Sequence, residues 1–146
     1  MQIKKKIYLG SDHGGFNLKE KIKDFLNESG YEYEDLGPEN YEPADDYPDY
    51  AYLVANKVAE TDSFGILICS SGVGMCIAAN KVKGIRAVNA YNVEIAEKSR
   101  EHNNTNILCL GQNYINPQLA KDIIKVWLKT DFSGEERHHR RVQKIS

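Results

Sequence analysis

The stretch ILICSSGVGMCIAANK, residues 66–81, decides the fold. Its apolar beginning belongs to the run FGILIC, residues 64–69, which is typical of a strand buried on both faces of a sheet. A glycine-containing loop follows this strand directly, and a helix-like segment follows the loop. A buried strand, a loop and a helix in this order form the repeating unit of parallel α/β sheets.

Strand and helix signals alternate in the same way along the rest of the chain. Further strands are predicted at residues 6–10, 31–37, 84–90 and 106–111, and helices at 16–30, 50–60, 92–103 and 116–129. Residues 38–49 are rich in Pro, Asp and Asn and are predicted as a loop, and residues 135–145 as a short charged helix or tail. We therefore predict a three-layer, Rossmann-like α/β fold with a five-stranded parallel sheet, an extended C-terminal helix or tail, and a single domain over residues 1–146.

The composition limits the possible classes of protein. The 146 residues are 41% hydrophobic, enough to bury a core without disulfides or metal, and the formal net charge of -2 gives no basic field for nucleic acid. Cys69, Cys76 and Cys109 match no zinc or redox spacing, so we expect free thiols in a reducing compartment. No segment approaches the roughly 20 apolar residues of a membrane span, and the N-terminal apolar run is too short for a signal peptide. A cytoplasmic protein is expected.

Three glycine-containing segments are predicted to meet at one edge of the sheet. Ligands of open parallel sheets bind beyond the carboxyl ends of the strands, where GSDHGG, CSSGVG and LGQN are expected. The backbone N–H groups of residues 70–74, at the start of a helix, suit a phosphate or an oxygen that becomes negative during a reaction. A dinucleotide is disfavoured because Ile77 stands where the third glycine of G-x-G-x-x-G belongs, and the lysine of a phosphate-binding P-loop is also missing.

Several candidate side chains allow both a chemical and a structural interpretation. Cys69 is either a base beside the anion-binding loop or a small apolar residue at a strand end. Asp12 and His13 either project over the crevice, or cap the next helix and lie at the surface. His102 is either a functional imidazole or a cation at the C-terminus of a helix.

The C-terminal segment RHHRR raises a similar question. Arg137 and Arg141 are four residues apart and share a face of a helix, so together they are able to bind a phosphate dianion. A solvated basic tail is the alternative. The neighbouring histidines raise the question of a metal site, but they match no H-E-x-x-H pattern or Cys/His cluster.

Taken together, the segments GSDHGG, DYPDYA, CSSGVGMCIAANKVKGIRAV, REHNNTN and RHHRRV resemble the ribose-5-phosphate isomerase B family, in order and spacing. This family includes galactose-6-phosphate isomerase subunits and allose-6-phosphate isomerases. The resemblance covers nearly the whole chain. It implies an aldose-ketose isomerase of the pentose phosphate pathway that interconverts ribose 5-phosphate and ribulose 5-phosphate through an enediolate.

The resemblance also implies a role for each candidate residue. Cys69 corresponds to the base that moves a proton between C1 and C2, and His102, assisted by Asn103, to the residue that opens the sugar ring. The oxyanion-binding loop corresponds to Ser70, Ser71, Gly72, Val73 and Gly74, the sugar contacts to Asp12 and Tyr47, and the phosphate contacts to His13, Arg137 and Arg141. The family's C-terminal arginines reach the neighbouring subunit's active site, which implies a homodimer or a tetramer of dimers. No metal or organic cofactor is expected.

The chain departs from the family at three positions. Ser70 stands where many relatives have glycine, and Met75 stands where some relatives use a glutamate as the base, which leaves Cys69 for that role. Asn113 stands where members with ribose-5-phosphate activity usually carry an arginine, and one lost charged contact costs about 1.5–3 kcal/mol. Two alternatives therefore stay open: an isomerase of a six-carbon sugar phosphate, and a sugar-phosphate-binding module without turnover.

Overall fold

The computed structural model describes residues 4–146, which form a five-stranded parallel sheet with helices on both faces. The strands are β1 (Ile7–Ser11), β2 (Tyr33–Asp35), β3 (Phe64–Cys69), β4 (Ala87–Asn89) and β5 (Ile107–Gly111). The helices are α1 (Phe16–Glu28), α2 (Tyr47–Glu60), α3 (Val73–Ala79), α4 (Val93–Asn103), α5 (Pro117–Lys129) and α6 (Glu136–Ile145). The predicted α/β fold is confirmed.

The strand order creates a crevice at the middle of the sheet. The strands are arranged β2-β1-β3-β5-β4, so that β1 pairs with β2 on one side and with β3 on the other. The winding direction thus reverses between β1 and β3, and open parallel sheets bind ligands at the carboxyl ends of the strands flanking such a reversal. Ser11 and Cys69, the last residues of β1 and β3, mark this position.

The core lies in two layers, one on each face of the sheet. All six residues of β3 are buried, as the sequence predicts for a central strand. Because successive side chains of a strand point to opposite faces, Ile66 and Ile68 pack with α1 and α5, whereas Leu67 and Cys69 pack with α2 and α3. The alternation therefore places Cys69 on the face that carries α2 and α3.

The predicted loop over residues 38–49 is wrong at its C-terminal end, because α2 begins at Tyr47. Pro48 lies in the first turn of α2, where a missing N–H removes no helical hydrogen bond and the fixed φ of proline suits the helix. The Pro- and Asp-rich composition here belongs to a helix start rather than to a loop. Residues 13–15 also form a short 3₁₀ turn before α1, which periodicity does not indicate.

A buried ion pair fixes the start of the segment between β2 and α2. The Nζ atom of Lys19 is buried and donates to both carboxylate oxygens of Asp35, at 2.8 and 2.9 Å, and to the Pro38 carbonyl at 2.6 Å. Burial alone would raise the pKa of Asp35, but Lys19, the Gly37 N–H and Lys23 outweigh it and hold this pKa below its usual value. The β2–α2 segment is thereby tied to the helical layer formed by α1.

Helix α6 is an exposed element that rests on α4. It buries His138 and Val142 and leaves Arg137 and Arg141 exposed. The charged C-terminal segment is therefore a helix rather than an irregular tail. Within residues 4–146, no helix combines the length and the apolar character needed to cross a membrane.

Candidate active site

Cys69 lies at the carboxyl end of β3 with its sulfur turned into the glycine-containing loop. The backbone N–H of Gly72 donates to the Cys69 Sγ at 3.0 Å. The residue is 5% exposed, so little water competes for the sulfur. This donor lies where it would stabilise negative charge on the sulfur, which is what a proton-accepting cysteine requires.

The conformation of the loop that follows Cys69 requires a glycine at position 72. Gly72 has φ 82°, in the left-handed region that favours glycine, and a Cβ there would lie 2.5 Å from the Asn89 amide and 3.0 Å from the Leu110 carbonyl carbon. In the orientation that satisfies its neighbours, the Asn89 amide donates to the Cys109 carbonyl and accepts from the Val73 N–H. The loop is thus fastened to β4 and β5 through Asn89.

A cavity of about 430 Å³ opens beside this loop. Its lining residues lie just after β1, at the end of β3, in the loop after β3, and in α2 and α3: Asp12, Cys69, Ser70, Ser71, Tyr47, Val73, Gly74 and Ile77. A Cβ on Gly74 would come within 2.6 Å of the Tyr47 ring, so the absence of a side chain lets this ring pack on the loop. The cavity is therefore lined by eight residues, and the resemblance assigns seven of them to substrate binding or to catalysis.

The residues after β1 add a carboxylate and an imidazole to this edge. Asp12 makes no side-chain capping hydrogen bond, and its Oδ1 is buried without a partner in the part of the chain that the structure describes. Burial raises the pKa of Asp12, and the charge of His13 offsets part of this rise. The Nδ1 atom of His13 lies 2.7 Å from the Asp45 Oδ1, and this hydrogen bond raises the pKa of His13 against a smaller lowering by burial.

The same three groups are close enough to bind a metal ion. Ligand atoms of Asp12, His13 and Asp45 all lie within 4.8 Å of one another. Nδ1 of His13 and Oδ1 of Asp45 already hydrogen-bond to each other, so a cation using both of these atoms would have to break that contact. The His13–Asp45 hydrogen bond therefore already uses two of the three donor atoms.

The remaining candidate residues lie at the other end of the strands. We call the side of the sheet with the carboxyl ends of the strands the carboxyl edge, and the side with their amino ends the amino edge. β3 and β5 pair from Gly65 with Ile107 to Cys69 with Gly111, so four residue steps, about 13 Å, separate the level of Ile107 from Cys69. His102 and Asn103 end α4 and precede β5, which places them at the amino ends of the strands. One chain therefore does not bring His102 and Cys69 together.

Helix α6 joins His102 at this second edge. The His138 ring stacks on the His102 ring, with centroids 4.3 Å apart and an interplanar angle of 14°. Burial lowers the pKa of His138, and the neighbouring His102 lowers it further. Arg137 and Arg141 flank this stack on α6 and are exposed, and the Arg137 Nε donates to Glu135 at 3.1 Å. The candidate site thus consists of two groups of residues, one at each edge of the sheet.

The structure also accounts for two of the departures from the family pattern. Among residues 4–146, Asn104 is the one non-glycine residue with positive φ, so Ser70 adopts a backbone conformation open to any residue. Met75 is completely buried. Asn113 is exposed at the carboxyl edge, and its N–H donates to the Ser70 carbonyl at 3.0 Å.

Sequence reasoning missed three residues that shape the two groups. Asp45 contacts His13 across 32 residues of chain, and Asn89 contacts the loop from the end of β4. His138 stacks on His102 through the packing of α6 on α4. These contacts are tertiary, and no local pattern marks Asp45 or His138. Only for Asn89 did the sequence carry a signal, since a polar residue ends a strand next to the predicted crevice.

Comparisons with known proteins agree with this architecture. The model of the Ribose/Galactose Isomerase family matches residues 7–145. Ribose-5-phosphate isomerase B of Escherichia coli is 47% identical over 144 residues, covering 97% of this chain and 95% of that protein. The structure of ribose-5-phosphate isomerase B from Clostridium thermocellum superimposes with a TM-score of 0.90 at 51% identity, covering 96% of this chain and 94% of that one.

A ligand-bound relative has the same fold. Ribose-5-phosphate isomerase B from Mycoplasma genitalium, solved with bound ribulose-5-phosphate, superimposes with a TM-score of 0.92 at 42% identity. The match covers 96% of this chain and 93% of that one. Family model, sequence relatives and solved structures all match nearly the full length of the protein. The chain therefore belongs to the ribose/galactose isomerase family.

Proposed function

We propose that this protein is an aldose-ketose isomerase that interconverts ribose 5-phosphate and ribulose 5-phosphate. The observation that carries the proposal is Cys69 at the β1–β3 crevice, with its sulfur accepting the Gly72 N–H in a cavity of about 430 Å³. Relatives that share 42–51% of the sequence over nearly the full length carry this activity in their names.

Cys69 is the base in this proposal. Its thiolate removes the proton from C2 of the open-chain aldose, so that an oxygen becomes negative in the enediolate. The same proton returns to C1, and the hydroxyl proton of O2 passes to O1, which leaves the ketose carbonyl at C2. The Gly72 and Val73 N–H groups donate to Cys69 and Asn89, so the other backbone N–H groups of residues 70–74 are the donors for the negative enediolate oxygen. They stabilise the negative oxygen more than a neutral carbonyl, and only such a difference lowers the barrier. A positioned base commonly contributes about 10²–10⁴-fold to the rate.

The second subunit completes the site in this proposal. His102 and Asn103 open the sugar ring, and Arg137 and Arg141 bind the phosphate, but all four lie at the edge opposite Cys69 in their own chain. A homodimer, or a tetramer of dimers, that sets one chain's amino edge against the other chain's carboxyl edge assembles the complete constellation. The exposed apolar side chains of Val73 (47%) and Ile77 (59%) at the cavity rim fit burial against a second copy.

Asp12, Tyr47 and His13 complete the binding of the substrate. Asp12 has a buried Oδ1 without a partner, which suits acceptance of a hydrogen bond from a sugar hydroxyl. The Tyr47 hydroxyl is the second sugar contact, and His13 is a phosphate contact. We further propose a single domain without a resident metal or organic cofactor, located in the cytoplasm and without affinity for nucleic acid.

A six-carbon sugar phosphate is the second candidate substrate, and Asn113 is the observation that favours it. An arginine is usual here in members acting on ribose 5-phosphate, whereas Asn113 is exposed beside the loop and carries no charge. A longer sugar places its phosphate further from C1, so different residues contact it. The same Cys69 and loop serve either substrate.

A coupled isomerase assay tests the function. The protein is offered four-, five- and six-carbon aldose phosphates at equal concentration, and ribose 5-phosphate is expected to give the highest kcat/KM. Cys69→Ala should lower kcat by at least about 10²-fold with little change in KM. Cys76→Ala is the matched control, because its half-buried thiol contacts the Ala87 carbonyl and Asn80 instead of the cavity, and it should retain kcat.

Absence of turnover on every sugar phosphate would leave the protein as a binding module and reject the proposal. Highest activity on a six-carbon substrate would move the assignment to the second candidate. Near-normal turnover by Cys69→Ala would remove Cys69 as the base.

A further inference from the structure

The Asp45 carboxylate contacts the Nδ1 side of the His13 imidazole. Its Oδ1 lies 2.7 Å from the His13 Nδ1 and accepts the His13 backbone N–H at 3.1 Å, so the ring and main chain of His13 are fixed by one oxygen. The Asp45 side chain is 9% exposed and its Oδ2 is buried. Tyr50 also interacts with this carboxylate, and burial together with the Asp45 charge raises the pKa of Tyr50. The His13 ring is more open, at 38% exposed, so a ligand has access to it.

We propose that Asp45 is a positioning residue that keeps His13 doubly protonated, so that the His13 Nε2–H donates to the substrate phosphate. The inference rests on the proposed function, because it takes His13 to be a phosphate contact. It adds a residue that lies outside the cavity and acts through His13.

The chemistry of imidazole explains why the carboxylate matters. When Nδ1–H donates to Asp45, a neutral His13 carries no proton on Nε2 and presents a lone pair to the ligand. Phosphate oxygens also carry lone pairs, so this form repels the substrate. The imidazolium carries a proton on both nitrogens and donates a charge-assisted hydrogen bond to phosphate. Protonation of His13 is therefore required for this contact, and the Asp45 carboxylate favours it.

The other groups around His13 set its charge together with Asp45. Asp12 lies beside it in sequence and favours the cation, and the Tyr41 ring meets the imidazole edge-on at 6.2 Å. In the assembled site, Arg137 and Arg141 of a second copy would approach the same phosphate and oppose the cation. Asp45 is not among the residues that line the cavity, so its carboxylate counters that opposition from outside the lining.

The contact between Asp45 and His13 is more important because Asn113 carries no charge. A permanently charged arginine is missing from this position, so the site depends more on the charge that His13 supplies. A histidine cation is conditional on pH, unlike a guanidinium. Phosphate affinity in this protein is therefore expected to fall at alkaline pH more steeply than arginines alone would allow.

The test compares Asp45→Asn with Asp49→Asn in the full-length assembled protein. Asn at position 45 keeps the size and still accepts the Nδ1–H, but it removes the charge. Asp49 is an exposed carboxylate in the first turn of α2 and serves as the matched control. The His13 ring is followed by NMR between pH 5 and 9, with its resonance assigned from a His13→Gln variant, and KM for ribose 5-phosphate is measured at pH 6 and pH 8.

We expect His13 to titrate at higher pH in the natural protein than in Asp45→Asn. The KM of Asp45→Asn should be about fivefold higher than that of the natural protein at pH 8 and nearly equal at pH 6, with kcat within about twofold at both. Inorganic phosphate, as a probe that requires no turnover, should show the same pH-selective loss of affinity. Asp49→Asn should follow the natural protein in all three measurements.

Identical His13 titration in the natural protein and Asp45→Asn would overturn the proposal, as would a KM change equal at both pH values. Should Asp45→Asn fail to fold, the natural protein alone still decides, since His13 titrating at or below the pH of an ordinary histidine would also overturn it. The NMR and phosphate experiments need no isomerase activity. A failure of the proposed function would thus appear in the assay with different sugar phosphates. A failure of the proposed role of Asp45 would appear in the NMR titration of His13.

Discussion

Mixing two inactive variants should restore activity if each site draws on both edges of the sheet. Cys69→Ala removes the proposed base at the carboxyl edge, and Arg137→Ala/Arg141→Ala removes the two proposed phosphate contacts at the amino edge. Loss of two charge-assisted contacts, at about 1.5–3 kcal/mol each, should raise KM by at least about 100-fold. Either variant alone is therefore nearly inactive at low substrate concentration.

The expected recovery follows from the symmetry of a dimer. Random reassembly of equal amounts gives half mixed dimers, and each mixed dimer has one site with both defects and one site with neither. The mixture should therefore regain about a quarter of the activity of the natural protein. The assay dissociates both variants in mild denaturant, dilutes them together, confirms exchange by native mass spectrometry and measures turnover of ribose 5-phosphate.

A rearranged mixture is the control. In this control one chain carries all three substitutions and is mixed with the natural protein in equal amounts. If the sites are shared, only the natural homodimers are active, and the mixture has about a quarter of the activity of the natural protein. Sites confined to one chain would instead give about a half, because every natural subunit works in any pairing. No recovery in the first mixture, despite proven exchange, together with a half in the second would refute the shared site.

Four further results are expected. Asp35→Asn should lower the free energy of unfolding by about 3–5 kcal/mol in urea, because the buried Lys19 ammonium loses its carboxylate. Since the folded-state pKa of Asp35 lies below its unfolded value, this stabilisation is present at neutral pH and is lost as the pH falls through the folded pKa, so the two proteins should converge in acid. Gly72→Ala should lower the free energy of unfolding by about 1–2 kcal/mol, because residue 72 has a left-handed backbone conformation. The added Cβ should also displace Asn89 and lower kcat at least about tenfold. An unchanged kcat would contradict the role of the loop. Prolonged dialysis against EDTA should leave kcat/KM unchanged, and a loss restored by a divalent cation would contradict the metal-free site. His102→Ala should be far slower on ribose 5-phosphate than on ribulose 5-phosphate, which has no furanose ring to open, and equal losses would reject ring opening.

Local sequence signals were enough for the sheet but not for every boundary. FGILIC is apolar throughout because β3 is covered on both faces, so its prediction is confirmed residue for residue. The start of α2 was missed because Pro and Asp are favoured both in loops and at helix N-termini, and only the backbone distinguishes the two.

The carboxyl-edge residues were predictable for a topological reason. Glycines and polar residues directly follow β1 and β3, and parallel strands bring their carboxyl ends together. The position of His102 was equally available, since a residue between a helix and the next strand lies at the amino edge. Asp45 was not predictable, because its contact with His13 depends on the path of the β2–α2 segment, which Lys19 and Asp35 fix at its start.

The division of the candidate site between two edges has an evolutionary consequence. Cys69 and His102 do not meet within one chain, so after a gene duplication each copy can lose one of them without disturbing its own fold. In the proposed dimer, two such copies would still form one working site when they pair, and neither would work alone. In that dimer, two losses, one in each copy, thus separate a symmetrical enzyme from an obligate pair of different subunits. The second site of such a pair retains neither Cys69 nor His102 and is released for another ligand.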